Sequence, residues 1–223
     1  QTINALVFAG SVALAAGSTG IGVAGSGVYV HNEIEGNTIA KIEGNSAATT
    51  GYEISANKVT VSATTDSEIN VAAAAVAIAA AFGSTGVGVS IGVSIAENEI
   101  DGLTQAIITG ADARATSGDV TVEARDNASI NALAAAAGLA AGFGSTGIGV
   151  SLAGALAFNP IGSGVSATII DSRVHATSLL ADEGNVIVTA LSEGRVNALI
   201  ISASVAIGVG ATGIGVGIGA AYA

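Results

Sequence analysis

Cysteine, tryptophan and methionine are absent from the 223 residues; proline occurs once, at Pro160, and histidine twice, at His31 and His175. Each scarcity removes a class of protein. Without cysteine there is no disulfide framework and no thiolate metal site. Aromatic residues make up 3% of a chain that is 50% hydrophobic. Bulk from Phe, Trp, Leu and Met is thus replaced by Ala, Gly, Val and Ile, a mixture suited to thin, closely stacked sheets. The two histidines stand at non-equivalent places, and no Ser-His-Asp or metal-ligand spacing surrounds either one. Basic residues are also few, six Lys+Arg against 17 Asp+Glu, for a formal charge of −11. With no basic cluster, neither nucleic acid nor an anionic membrane is the expected partner, and the acidic balance reads as a device for solubility. Gln1-Thr2-Ile3-Asn4 lacks the basic start of a secretory leader.

What the chain has in abundance is repetition. A glycine after Ser-Thr or Ala-Thr recurs at Gly20, Gly86, Gly147 and Gly213, in steps of 66, 61 and 66 residues. Asn4, Asn70, Asn131 and Asn197 repeat with the same three steps, and Asn32, Asn98 and Asn159 with the first two. Three markers in one register define modules at approximately 3–68, 69–129 and 130–195, with a partial fourth at 196–223. The whole chain, 1–223, then reads as one continuous array.

Each module opens on a charge-free apolar segment bent at Gly-Ser-Thr-Gly or its equivalent. In the second copy Val87, Val89, Ile91, Val93 and Ile95 share one parity, and Gly88, Ser90, Gly92 and Ser94 the other. A period of two is the signature of a strand. The face opposite the bulky one is small rather than polar, so another layer is expected to approach it closely. Gly88, Gly92, Gly215, Gly217 and Gly219 are expected to be buried there, and Val87–Ile95 to be inaccessible while Glu97–Asp101 is solvated. Alanine content alone would allow a helix over Ile130–Phe143, but its counterpart Val196–Gly210 alternates, which assigns strand to both. Transmembrane helices are not expected, because the run Val71–Phe82 is short for a span. The polar stretches contribute short strand-like runs at Thr38–Glu43, Lys58–Ala63, Gln105–Thr109, Asp119–Ala124, Val165–Ile170 and Asn185–Ala190, separated by turn formers such as those of 45–57. Each module is therefore expected to hold four strands, two long and apolar and two short and half polar. The fold class is all-β: a parallel β-solenoid or stacked-strand array of 61–66-residue modules, with an antiparallel stack of hairpins turning at Gly-Ser-Thr-Gly as the alternative.

Few constellations suggest chemistry. Gly20 to Gly25 matches G-x-G-x-x-G but runs into a strand rather than a helix, so it is no dinucleotide fingerprint. Glu97, Glu99 and Asp101 place alternate carboxylates on one strand face and are weak Ca²⁺ candidates; Phe158-Asn159-Pro160 at the same place in copy three has no acid. The repeated asparagines are read as structural, each amide bonding to backbone or to the equivalent Asn of a stacked layer. Catalytic, cofactor-binding and resident metal sites are not expected, and the chain is not read as an enzyme.

Gln105–Gly110 followed by Gly118–Ala124 (GDVTVEA), and then an Ala/Gly-rich run with Gly-Ser-Thr-Gly and a closing Asn, resembles the repeats of large bacterial exoproteins, the leukotoxin-type filamentous adhesins. The resemblance spans the full length. It implies a secreted right-handed β-solenoid on the cell surface and a role in adhesion or surface structure, with surface glycans or other cells as targets. It carries no active-site residue. The expected function is a structural filament or stalk segment that self-assembles through apolar β-faces. The alternatives are a membrane-inserted β-structure and, further off, a β-helical carbohydrate-acting enzyme. Because 1–30 and 196–223 lack polar caps, the chain is expected to continue into a longer array or to assemble head to tail.

Overall fold

The computed structural model describes residues 1–45, 54–177 and 184–223. Part of the turn-former run 45–57 therefore lies outside the described residues. The chain winds as a parallel β-solenoid whose strands fall into three sheets. The first sheet stacks β1 (Thr2–Ala16), β4 (Val59–Phe82), β7 (Val120–Phe143) and β11 (Val186–Val209) in that order. The second stacks β2 (Thr19–Glu43), β5 (Thr85–Thr109), β8 (Thr146–Phe158) and β12 (Thr212–Tyr222), with β9 (Gly164–Ile170) beside the end of β5. The third holds only short strands, β3 (Ile54–Ala56), β6 (Asp112–Ala115) and β10 (Arg173–Ala176). Every pairing between these strands is parallel.

This settles the topology against hairpins. At Gly-Ser-Thr-Gly the chain steps from the first sheet to the second, and the corner bonds to the next coil rather than to itself. Gly17 N–H donates to the Phe82 carbonyl, Gly83 N–H to Phe143 and Gly144 N–H to Val209. Thr85 N–H donates likewise to Ser18 and Thr146 N–H to Ser84. A parallel ladder needs such a crossover between sheets, since its strands cannot be joined by a tight turn. The segment Ile130–Phe143 is strand throughout, within β7.

The register reproduces the repeat. Asn4 faces Asn70, Asn70 faces Asn131 and Asn131 faces Asn197, while Gly20, Gly86, Gly147 and Gly213 form a second column. Module length varies where the third sheet is entered or left, between Glu43 and Ile54 and between Ala176 and Val186. The corner after the second sheet takes left-handed backbone at Gly110 (φ 59°) and at its equivalent Asp171 (φ 47°).

Among the described residues, four strands per module is corrected to three in the first two coils, while the third holds four, with Val165–Ile170 lying within β9. The runs Lys58–Ala63 and Asp119–Ala124 are not separate strands but the beginnings of β4 and β7, and Thr38–Glu43 and Gln105–Thr109 are the ends of β2 and β5. Asp66 and Ser67 do not break the strand, whose hydrogen bonding carries on through the change from polar to apolar sequence. Only in the third coil does the second-sheet strand break, between Phe158 and Gly164, where Pro160 has no N–H to give the ladder. The third-sheet strand of each coil hides in what reads as a turn, being three or four residues long.

Each coil thus has two parts, here called base and fin. In the base all three sheets enclose a core of Val59, Val61, Ala106, Ile108, Val120 and Val122 with small residues between them. In the fin the first and second sheets lie directly on each other, filled by alanines such as Ala73, Ala75, Ala77, Ala79 and Ala81 at 0–1% exposure. A Cβ added at Gly88 would lie 2.6 Å from the Ala141 carbonyl oxygen, and one at Gly92 2.7 Å from that of Ala137. Serines join the two layers: Ser94 Oγ donates to the Ala73 carbonyl (3.1 Å), Ser26 Oγ to Ala9 (2.8 Å) and Ser204 Oγ to Ser151 (2.7 Å).

Candidate functional site: the fin faces and their amide ladders

Because the small parity points inward, the bulky parity of the fin points out. In the single chain Val87, Val89, Val93 and Ile95 are partly exposed and Ile91 is 42% exposed, so the expected inaccessibility of Val87–Ile95 is not supplied by the fold itself; within Glu97–Asp101, expected to be solvated, Asn98 and Ile100 are buried. Away from the asparagine ladders the gap between the two sheets admits little more than Ser or Ala, so most branched residues go to the surface; Val28, Val30 and Val71, close to the ladders, are the buried exceptions. Gly88 and Gly92 are buried as expected, but Gly215, Gly217 and Gly219 are exposed. Their Cα positions do face the other layer, where a Cβ at Gly215 would meet the Ala206 carbonyl oxygen at 2.6 Å. Their strand, β12, has a neighbour on one side only.

Both outer faces of the fin are consequently apolar. On the first sheet Leu6, Leu133 and Leu199 stand in one column and Val12, Ile78, Leu139 and Val205 in another. On the second sheet Ile21, Val87, Ile148 and Ile214 align. Near the corner Phe82 stacks on Phe143 with ring centroids 4.9 Å apart and planes 5° from parallel. The positions 69–96 and 130–158 contain no charged residue. Among the described residues, no helix is long and apolar enough to cross a membrane.

Two ladders of asparagine mark where the fin meets the base. The outer ladder runs Asn197 to Asn131 to Asn70 to Asn4, each Nδ2 donating to the next Oδ1 at 2.8–2.9 Å. The inner one runs Asn32 to Asn98 to Asn159 at 2.8 Å per bond, and Asn98 is 1% exposed. The sequence expectation of stacked amides describes both. Alongside the outer ladder lies a groove of about 780 Å³, notched where Ala72 replaces the leucine of its column.

Charge is confined to the base and its border with the fin. Arg173 pairs with Asp112 across coils at 2.9 Å and Arg125 with Glu193 at 3.5 Å. Glu97, Glu99 and Asp101 share the outward parity of β5, as expected, yet they diverge in use. Glu97 accepts a 2.6 Å bond from the Tyr29 hydroxyl and lies 3.7 Å from His31, which itself lies 3.7 Å from Glu33. The bond to Glu97, then burial and the carboxylate's charge, hold the Tyr29 phenol above its ordinary pKa. Asp101 Oδ1 accepts from the Gly102 N–H at 2.8 Å, and Glu99 stands exposed beside Glu33. No group of three or more His, Cys, Asp or Glu side chains able to hold a metal forms among the described residues. Gly20, Gly22 and Gly25 lie within strand β2, so the glycine motif faces no helix N-terminus.

No protein-family model, curated protein or solved structure matches the chain.

Proposed function

We propose that this chain is a structural segment of a cell-surface or extracellular filament of the adhesin type, in which fins of neighbouring copies pack face to face. One observation carries the reading: the fin keeps its small residues inside and turns its leucines, isoleucines and valines outward on both sides. Exposed apolar surface of that extent marks association sites on proteins. A two-sided face lets association continue from copy to copy instead of closing at a pair. The base supplies the solvated edge, with its ion pairs and acid columns, and no catalytic role is assigned to it.

Negative-stain microscopy and size-exclusion chromatography of the purified chain test this. Fibres or sheets that form without detergent support it, and a monodisperse soluble monomer at micromolar concentration overturns it. A second reading rests on strand length. The twelve residues of Val71–Phe82, at about 3.3 Å each, reach about 40 Å, enough to cross a hydrocarbon layer of about 30 Å. Particles that disperse only in detergent and float with liposomes would favour that lipid-seated fin.

A further inference from the structure

The junction of fin and base encloses a polar cavity of about 120 Å³, bounded in part by Thr38, Thr65, Thr104, Asp101, Asp126 and Ser163. These residues come from three successive coils. On the first sheet Asp126 occupies the inward column of Thr65 and Ser192, and on the second Thr38 and Thr104 share an inward column. The Thr65 hydroxyl sits 2.8 Å from that of Thr38 and 2.7 Å from that of Thr104. Asp126 is 2% exposed, and its Oδ2 has no hydrogen-bond partner. Gln1 also lines the cavity, its α-ammonium group engaged by the Asp66 carbonyl at 2.5 Å, and no lysine or arginine does.

A buried carboxylate without a cationic partner is costly unless it takes up a proton or a metal ion. Burial raises the proton affinity of Asp126, a hydrogen bond from Ser163 opposes this, and the charge of Asp66 adds to the rise. Burial, the largest of these causes, makes the bare carboxylate costly, and the charge of Asp66 adds a negative potential that attracts a metal cation as it does a proton. The available groups are carboxylate and hydroxyl oxygens, the donors hard cations choose. The volume corresponds to about four waters at about 30 Å³ each, room for one ion and part of its hydration.

We infer that this cavity is a hard-cation site in which Asp126 supplies the charge and the hydroxyls of Thr65, Thr104 and Ser163 supply further oxygens. Such an ion would tie three coils together at the point where the fin is hinged to the base. The site is distinct from the fin faces and does not depend on the filament reading.

The test is calorimetric titration and thermal unfolding of chelator-stripped protein with Ca²⁺ alone and, separately, Na⁺ alone at matched ionic strength. Binding to the folded state alone raises the folded-to-unfolded ratio about 100-fold once the ion reaches about 100 times its Kd. An upward shift of the midpoint with either ion, lost in Asp126→Asn and kept in Glu99→Gln, supports the site and names its ion. No shift with either ion overturns it. So does a shift of equal size in Asp126→Asn, because the ion is then held elsewhere. If Asp126→Asn does not fold, Thr104→Val retains the charge and removes one donor. Its ion response should weaken at least about tenfold, since losing even a supporting partner around a metal costs about 10–100-fold in affinity; an unchanged response overturns the assignment.

Discussion

Base and fin are made by the same strands, yet they obey opposite rules of side-chain placement. Along β4 the odd-numbered residues face inward from Val59 to Ala81 almost without exception. In the base that inward parity reads Val59, Val61 and Ala63, and the outward one Thr60, Ser62 and Thr64. Beyond Asn70 the inward parity becomes Ala73, Ala75, Ala77 and Ala79, and the outward one holds Val76, Ile78 and Phe82. Backbone register does not slip; composition inverts around it. A slip of one residue would have exchanged the faces physically, whereas here the chain exchanges them chemically. The reason is spacing. Three sheets leave room at the base for branched side chains, and two sheets pressed together over the outer part of the fin leave room for a methyl or a hydroxyl, with buried valines (Val28, Val30, Val71) only towards the asparagine ladders. Burial in the fin is obtained by closeness of backbone and burial in the base by bulk of side chain.

Deleting bulk should therefore hurt most in the base. Ile108 is fully buried at 0% exposure. Ile108→Ala removes its transfer free energy and leaves a cavity, which costs about 2–5 kcal/mol. Denaturant unfolding should show the loss, and a change below about 1 kcal/mol would mean the base is not packed on its branched residues. The fin should respond to the opposite change. Gly88→Val sets a Cβ against the Ala141 carbonyl and forces the sheets apart, costing about 1–3 kcal/mol. Gly25→Ala is the matched control, because a Cβ there meets nothing within 4 Å. Equal melting of Gly88→Val and Gly25→Ala would end the close-packed account of the fin.

The amide ladders sharpen the comparison at its border. Asn98→Ala breaks two bonds of a ladder whose central residue is 1% exposed. It leaves a donor and an acceptor with little water to replace it, at about 1–3 kcal/mol. Asn131→Ala breaks two bonds on the outer face, where Asn4 and Asn197 are exposed. Freed amides there turn to solvent, so about 0.5–1.5 kcal/mol is expected. Chemical denaturation of the two variants should rank them in that order, and a reversed ranking would contradict the inner placement of Asn98.

Much of this was legible before any coordinates. The 66- and 61-residue steps of Asn4, Asn70, Asn131 and Asn197 are the strand register itself, because parallel stacking puts equivalent residues side by side. The alternation of Gly88, Ser90, Gly92 and Ser94 announced a face that another layer approaches. What could not be read was the destination of the opposite face. The habit of placing bulky residues inside holds only where the interior has volume, and that volume grows along the strands from the outer fin towards a third sheet. Ile54–Ala56, three residues among turn formers, carries no periodicity from which to infer one. The Asp126 cavity escaped notice for a related reason. Its column reads Thr65, Asp126 and Ser192, so repeat symmetry offers no marker, and its other residues arrive from the second sheet more than twenty positions away.

The smallest expected effect on folding and the largest on assembly come from the same substitution. Ile91 is 42% exposed on the outer face of the fin, in β5, two coils deep in the stack. Ile91→Lys puts a charge where the side chain already meets solvent, so unfolding of the isolated chain should move by no more than about 0.5 kcal/mol, as for surface changes generally. Face-to-face packing of fins, however, would bury that ammonium without a partner, because no acid lies within 69–96. Association should fall sharply while the fold is retained. Glu99→Lys supplies the control: the same strand and the same outward parity, eight residues further on, but beyond the fin. Light scattering across a concentration series, with circular dichroism to verify the strands, separates the outcomes. If Ile91→Lys disperses the assemblies and Glu99→Lys leaves them, the fin face is the contact. Equal dispersal by both would point to net charge instead, and assemblies indifferent to Ile91→Lys would remove the fin from the interface altogether.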